Sequence, residues 1–334
     1  MLRVAIAGLK GHWGGFMQGL ESMSELALVA IAEDDEANRA EARKWGPVTP
    51  DIPFYSDWRE MLAKERIDVL CEGGVDSERA SVVLECARCG IHLLAEKPLA
   101  NSLPELEQER EAVEKAGIKL SMLLTMRYEA PYRAVREAIA GGAIGEVVTA
   151  TAQKSYCLGN RPAWQRDQAT FSGIIPFIGI HALDLIRWTT GREFVQVMAC
   201  HGNIGHPAYG DLEDQGQVLA LLDNGGSASA RLDYCRPAKA PTHGDDRLRL
   251  GGSKGVIETG HLLDAERGGP LLLTDDAEPR ILEVPPVEDG PMTDFVRWVL
   301  GGPVCAVPPE DCYRMTKVVL KAREAARTGS PQRV

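Results

Sequence analysis

Short apolar runs without helical period recur through the first 123 residues, at 3–7, 28–32, 67–71, 91–94 and 118–122. Each is too short for a helix. Each therefore predicts a strand buried on both faces. Helical stretches with their own punctuation lie between them. Ser102-Leu103-Pro104-Glu105 reads as a capping box with proline in the first turn, Gly117 as the stop of that helix, and Gly90 as the stop after residues 81–89. Strand–helix alternation at this spacing specifies a doubly wound α/β domain over residues 1–123, its parallel sheet covered on both faces. Right-handed crossovers then put ligands at the carboxyl ends of the strands.

From about residue 125 the rhythm changes. Residues 131–140 predict a helix closed by Gly141-Gly142, and 146–155 a long strand of alternating character. Residues 217–222 and 227–235 flank Asp223-Asn224-Gly225-Gly226, where Asn-Gly predicts a hairpin with positive φ at both central residues. Residues 247–250 and 256–258, split by Gly251-Gly252-Ser253-Lys254-Gly255, predict a second hairpin. A helix over about 309–327 carries Lys317, Lys321 and Arg323 in its latter half, which suits the helix dipole. Residues 124–334 therefore form an α+β domain on an antiparallel or mixed sheet.

Composition narrows the function. The chain has 334 residues, 37 basic against 48 acidic, for a net charge of −11, and only 6% aromatics. That balance argues against nucleic-acid or anionic-membrane partners. No apolar run reaches bilayer length, and residues 1–8 read as a strand entering a turn, not as a signal peptide. Eight scattered cysteines read as reduced thiols, so the expected location is the cytoplasm. Cys86 and Cys89 have zinc-like spacing but no second pair nearby, and His201, His206 and His243 lack ligand spacing; no metal is expected. There is no Gly-x-Ser-x-Gly elbow and no Walker-type lysine loop.

The turn after the first strand carries the chemistry. Gly8-Leu9-Lys10-Gly11-His12-Trp13-Gly14-Gly15 leads into a helix, with spacing Gly-x-x-Gly-x-x-Gly, one residue longer than usual at its first interval. Residues without Cβ there let backbone N–H groups approach a pyrophosphate at a helix N-terminus. Glu33 ends the second strand 19 residues after Gly14, where a carboxylate accepts from the ribose hydroxyls and repels a 2′-phosphate. Asp34 and Asp35 add to that repulsion, which favours NAD over NADP. The candidate cofactor residues are Gly8, Lys10, Gly11, His12, Trp13, Gly14 and Glu33. The competing reading is a glycine-rich turn that binds nothing.

Ala95-Glu96-Lys97-Pro98 follows a strand at the ligand edge of the sheet. On residue type alone Lys97 reads as a surface lysine paired with Glu96. Turned into a cleft, its pKa depressed by burial, it reads as a proton acceptor.

In order along the chain come the glycine turn, Glu96-Lys97-Pro98, Met126-Arg127-Tyr128-Glu129-Ala130-Pro131, Gly142-Ala143-Ile144-Gly145-Glu146-Val147, Gly179-Ile180-His181-Ala182-Leu183-Asp184 and Gly329-Ser330-Pro331. Together they resemble the glucose–fructose oxidoreductase/inositol dehydrogenase (Gfo/Idh/MocA-like) family over nearly the whole chain. The resemblance implies a Rossmann domain over 1–123, with Glu96 and Lys97 also at the cofactor. It implies a substrate-binding and oligomerisation domain over 124–334, whose open, mainly antiparallel sheet packs into dimers or tetramers. It also implies that Lys97 and His181 flank the nicotinamide and handle the substrate hydroxyl.

The chain departs from the family pattern twice. Phe177 stands where an aspartate usually precedes the histidine by four residues, which weakens a proton relay through His181. Counting back from Gly90, Arg79 stands where the family carries a histidine. His181 and Asp184 share a helical face. With Tyr156, Arg161 and Trp164 of a polar-aromatic loop that includes Gln165 and Arg166, and with Arg127, they are the candidate substrate contacts; Arg161 would suit an acidic sugar. A charged surface loop is the competing reading.

The expected function is an NAD-dependent oxidoreductase acting on a sugar, cyclitol or sugar-derived alcohol. The alternatives are an enzyme that uses bound NAD transiently to ease glycoside elimination, and a non-catalytic NAD-binding protein.

Overall fold

The computed structural model describes residues 1–334. The chain divides into two compact units, Met1–Leu123 with Asp289–Arg314, and Leu124–Glu288 with Met315–Val334.

The first unit contains β1 (Leu2–Ala7), β2 (Leu26–Ala32), β3 (Phe54–Tyr55), β4 (Val69–Glu72), β5 (His92–Ala95) and β6 (Leu120–Met122). They form an all-parallel sheet in the order β3-β2-β1-β4-β5-β6. This is the doubly wound order, with the direction of winding reversing between β1 and β4. Val4, Ile6, Val69, Leu70, Leu93 and Leu94 are fully buried, as strands covered on both faces require. The connecting helices are α1 (Trp13–Ser22), α2 (Glu36–Ala42), α3 (Trp58–Lys64), α4 (Asp76–Cys89) and α5 (Leu103–Ala116). Ser102 caps α5 by accepting from Glu105 N, and Gly90 and Gly117 end α4 and α5 in the left-handed region. β3, two residues long, gives no apolar run and leaves no trace in the sequence pattern.

The second unit holds nine strands: β7 (Val147–Cys157), β8 (Phe194–Gly202), β9 (Gln215–Leu222), β10 (Ser227–Arg236), β11 (Gly244–Gly252), β12 (Gly255–Gly260), β13 (Leu271–Thr274), β14 (Arg280–Ile281) and β15 (Gln332–Arg333). Their order is β14-β13-β12-β11-β7-β10-β9-β8-β15. Only the β7–β10 pair is parallel. Helices α6 (Ala130–Ala140), α7 (Ile180–Thr190) and α8 (His261–Arg267) belong to the same unit, and α7 packs on β7. The sheet is open on one side, where Leu219 (58% exposed), Met198 and Leu221 point outward.

The β9–β10 hairpin exists, but its turn differs from expectation. Gly225 alone has positive φ (+86°); Asn224 does not. The connection spans residues 223–226, with Gly225 N donating to Leu222 O, so a single left-handed residue suffices. The Asn224 side chain instead secures the turn by donating to Glu146 Oε1 (2.6 Å) and to the Val147 carbonyl (2.8 Å).

Residues 289–314 correct the simple split at 123/124. Here α9 (Pro291–Val299) places Met292, Phe295 and Val296 in one core with Phe16, Met17 and Leu20. A Cβ on Gly19 would lie 2.3 Å from Met292 Cγ, so the glycine allows the two helices to approach. Ser121 Oγ donates to Val307 O (2.9 Å), anchoring the segment before α10 (Pro309–Thr328) begins. An amphipathic helix states that it has a buried face but not which core receives it.

Candidate active site

The glycine turn is built by close backbone approach. Gly8 has φ +86°, and a Cβ there would lie 2.4 Å from Gly74 Cα; at Gly11 a Cβ would lie 2.6 Å from Glu96 Oε1. Lys10 N and Gly11 N both donate to the Gly73 carbonyl (2.8 and 3.0 Å), which pins the turn against the end of β4. Beyond it the packing loosens. At Gly14 the nearest atom to an added Cβ is 3.8 Å away, and at Gly15 nothing lies within 4 Å. No side chain caps α1 and no acid stands in its first turn, so its positive end is left for an anion.

Glu33, 3% exposed, directly follows β2. Its Oε2 accepts from Leu9 N (2.6 Å), while Oε1 accepts from Lys10 Nζ (2.7 Å) and Asp35 N (2.9 Å). Lys10 Nζ also reaches Asp34 Oδ1 (2.6 Å). Burial alone would lower the pKa of this ammonium; its hydrogen bonds to Asp34 and Glu33 outweigh that and raise it. The Lys10 hydrogen bond, joined by one from Glu33, in turn holds the Asp34 carboxyl below its usual value. The three acids expected to act together are thus divided. Lys10 neutralises part of the Glu33–Asp34 charge, and Asp35 caps α2, accepting from Ala37 N and Asn38 N. A cleft of about 350 Å³ opens beside Gly8, Lys10 and Glu33, walled also by Trp58, Arg59 and Val75. Sequence reading missed Trp58 and Arg59 because nothing in the pattern marks the strand that leads to them.

Glu96 and Lys97 follow β5. Glu96 Oε1 accepts from His12 N (2.5 Å) and lies 2.7 Å from His12 Nδ1, so this carboxylate locks the glycine turn in place. Burial would raise its pKa, but His12 and Lys97 beside it hold it well below the usual carboxylate range. Lys97 is 1% exposed and its Nζ lies 4.0 Å from Glu96 Oε2; it is not a surface lysine. The Lys97–Pro98 peptide is cis. Arg79, in the first turn of α4, donates to Glu72 Oε2 (2.6 Å) and to the Pro98 carbonyl (2.7 Å), and so ties β4 to the Glu-Lys-Pro turn. Its guanidinium also reaches Asp76 Oδ1 (3.3 Å).

In the second unit, a π-helical turn at Ile175–Gly179 precedes α7 and carries Phe177. Its ring meets Phe171 (5.1 Å) and Trp164 (6.1 Å) edge-on, an aromatic cluster in place of the family's carboxylate. His181 lies in the first turn of α7, 8% exposed. Arg127 and Asp184, expected at the substrate, are instead buried together in a bidentate pair, with Nε–Oδ2 2.9 Å and Nη2–Oδ1 2.5 Å. Their hydrogen-bonding edges are turned to each other.

Tyr156 stacks on His243 (5.3 Å), and the Arg161 guanidinium covers the Tyr234 ring (4.3 Å). Arg166 fixes that loop by donating to the Arg161 carbonyl from Nε (2.9 Å) and Nη2 (2.6 Å); Gln165 is buried. Sequence reading also missed Lys154, 3% exposed, which pairs with Asp246 and approaches Met126 Sδ (3.4 Å). Burial opposes its charge, but Tyr156 and Asp246 raise its pKa. A lysine in an alternating strand gives no signal that it points inward.

With this geometry in hand, two family descriptions match the sequence. Residues 2–124 match the oxidoreductase family with NAD-binding Rossmann fold, and residues 132–258 match the GFO/IDH/MocA C-terminal domain. The chain belongs to the Gfo/Idh/MocA oxidoreductase family. This Gfo/Idh/MocA protein is similar to a solved oxidoreductase of Thermotoga maritima, 33% identical, with TM-score 0.91 and 100% of both chains covered. It is 24% identical over 278 residues to the myo-inositol 2-dehydrogenase of the same organism, covering 82% of this chain and 79% of the relative. The Bacillus subtilis oxidoreductase YrbE is 25% identical over 240 residues, covering 72% and 68%. The chain is an NAD-binding oxidoreductase.

Proposed function

We propose that the protein transfers hydride between the alcohol carbon of a sugar, cyclitol or sugar-derived alcohol and NAD. The observation that carries this reading is Lys97, a buried ammonium at the carboxyl end of β5, held beside the glycine turn by the chain that also carries Glu96 and Pro98. The open space at Gly14 and Gly15 and the uncapped start of α1 fit a dinucleotide's pyrophosphate, and Glu33 fits its ribose. When bound, the nicotinamide supplies the hydride acceptor. Lys97 orients the substrate hydroxyl as an ammonium or, once it has given up its own proton, takes the hydroxyl proton as the neutral amine, and His181 assists it. His12 and Trp13 border the pyrophosphate, and Glu33 selects NAD over NADP. The polyol class rests on the kinship with the myo-inositol dehydrogenase and on the hydroxyl- and ring-binding character of Tyr156, Arg161 and Trp164.

The apolar open face of the second sheet suits packing against another copy in a homodimer or homotetramer. The unpaired cysteines suit a cytoplasmic location.

One observation favours a second reading. With Phe177 in place of an aspartate, the acid–base chemistry around His181 differs from the family pattern, as it would in an enzyme that oxidises a sugar transiently and returns the hydride. Screening neutral sugars, cyclitols and sugar acids for NADH absorbance separates the two. Net NADH with one class supports the dehydrogenase; NAD that co-purifies and cycles without net NADH supports the transient use.

A further inference from the structure

Arg161 is a guanidinium that the fold leaves almost unspent. Arginine offers five N–H donors, yet this one makes a single side-chain hydrogen bond, from Nη2 to the Cys157 carbonyl at 3.3 Å. Its Nε is buried with no acceptor at all. Neighbouring cations of the sheet are paired: Lys154 with Asp246, Arg247 with Asp245, and Arg236 with the Thr242 carbonyl and hydroxyl. Arg161 sits over Tyr234, 4.3 Å from the ring centre, and burial together with its charge lowers the pKa of His243.

The location is equally specific. β7 and β10 are the parallel pair at the centre of an otherwise antiparallel sheet, and the chain leaves both at the same end. Carboxyl ends of adjacent parallel strands are where open α/β sheets hold ligands. Here a cleft of about 580 Å³ lies between the loops that follow the two strands, lined by Leu158, His206, Tyr234, Arg236, Pro237 and His243; Arg161 stands behind this lining, over the Tyr234 ring. Cys157 Sγ donating to the Pro237 carbonyl (3.2 Å), and Arg236 holding Thr242, brace the cleft from both sides.

We propose that Arg161, seated on Tyr234 beside His243, recognises a carboxylate, so that the substrate is a sugar acid such as a uronate or aldonate. A planar guanidinium with unused donors matches a carboxylate edge, and the aromatic floor keeps its plane fixed. This inference rests on the sugar oxidoreductase reading and narrows its substrate class.

The test is calorimetric titration of the NAD-loaded protein with D-glucuronate and D-galacturonate against D-glucose and D-galactose. Each uronate should bind about tenfold or more tightly than its neutral counterpart. Arg161→Met should abolish that preference by weakening the uronates far more than the hexoses, and Arg161→Lys should keep part of it. A thermal melt for each variant checks folding, and His243→Ala, which leaves the guanidinium in place, should retain the preference. Equal affinity for acid and neutral sugar, or a preference that survives Arg161→Met, overturns the proposal. NADH formation with neutral sugars alone would overturn it while sustaining the oxidoreductase reading. Tight uronate binding with no hydride exchange between any sugar and NAD, net or transient, would uphold the carboxylate site and sink that reading instead.

Discussion

Arg127 and Asp184 face each other across two hydrogen bonds of 2.9 and 2.5 Å, with 1% and 2% of their surfaces exposed. Removing one partner of such a pair strands a charge in the interior. Asp184→Asn and Arg127→Met should each cost about 3–5 kcal/mol of stability, and replacing both partners with apolar residues should recover most of it. Urea unfolding of the two single variants and the double variant checks this. An effect confined to KM, with stability unchanged, would return the pair to the substrate.

Glu109 on α5 is fully buried and neither carboxyl oxygen has a hydrogen-bond partner. Burial pushes its pKa well above the ordinary 4.5. The native acid holds its proton while the unfolded one releases it, so stability drains away as pH rises above the ordinary value, until the native group also ionises. Glu109→Gln removes that loss. The variant's advantage over the parent protein should be smallest at low pH and grow towards neutrality. Denaturation curves at several pH values check the slope; a pH-independent difference would contradict it.

Lys10 bridges Glu33 and Asp34. Lys10→Met leaves both carboxylates unscreened, so the ratio of Kd for NADP to Kd for NAD should rise about tenfold. Glu33→Ala should weaken NAD by about 1–3 kcal/mol. Fluorescence titration with both nucleotides checks both. A ratio unmoved by Lys10→Met would show that the lysine plays no part in selecting the cofactor.

The parallel sheet and the glycine turn were legible because buried strands, caps and close backbone approaches constrain residue type one position at a time. Ser102, Gly90, Gly117 and Gly8 each do in the structure what their chemistry requires. What escaped was pairing at long range. Nothing local says that Arg127 meets Asp184, that Lys10 stands between two acids, that Lys154 points inward to Asp246, or that residues 289–314 return to the first unit. The Asn224 turn failed for a related reason. Its side chain found partners at Glu146 and Val147, and those contacts are invisible in a dipeptide rule.

Lys97 carries the central claim, and a paired measurement on Lys97→Ala tests it most directly: NAD affinity by titration, and steady-state NADH formation with the best substrate of the sugar screen. The predicted result is an NAD affinity close to that of the parent protein with turnover reduced about 10²–10⁴-fold, the usual weight of a lost general base. Turnover that survives the loss of this ammonium would contradict it.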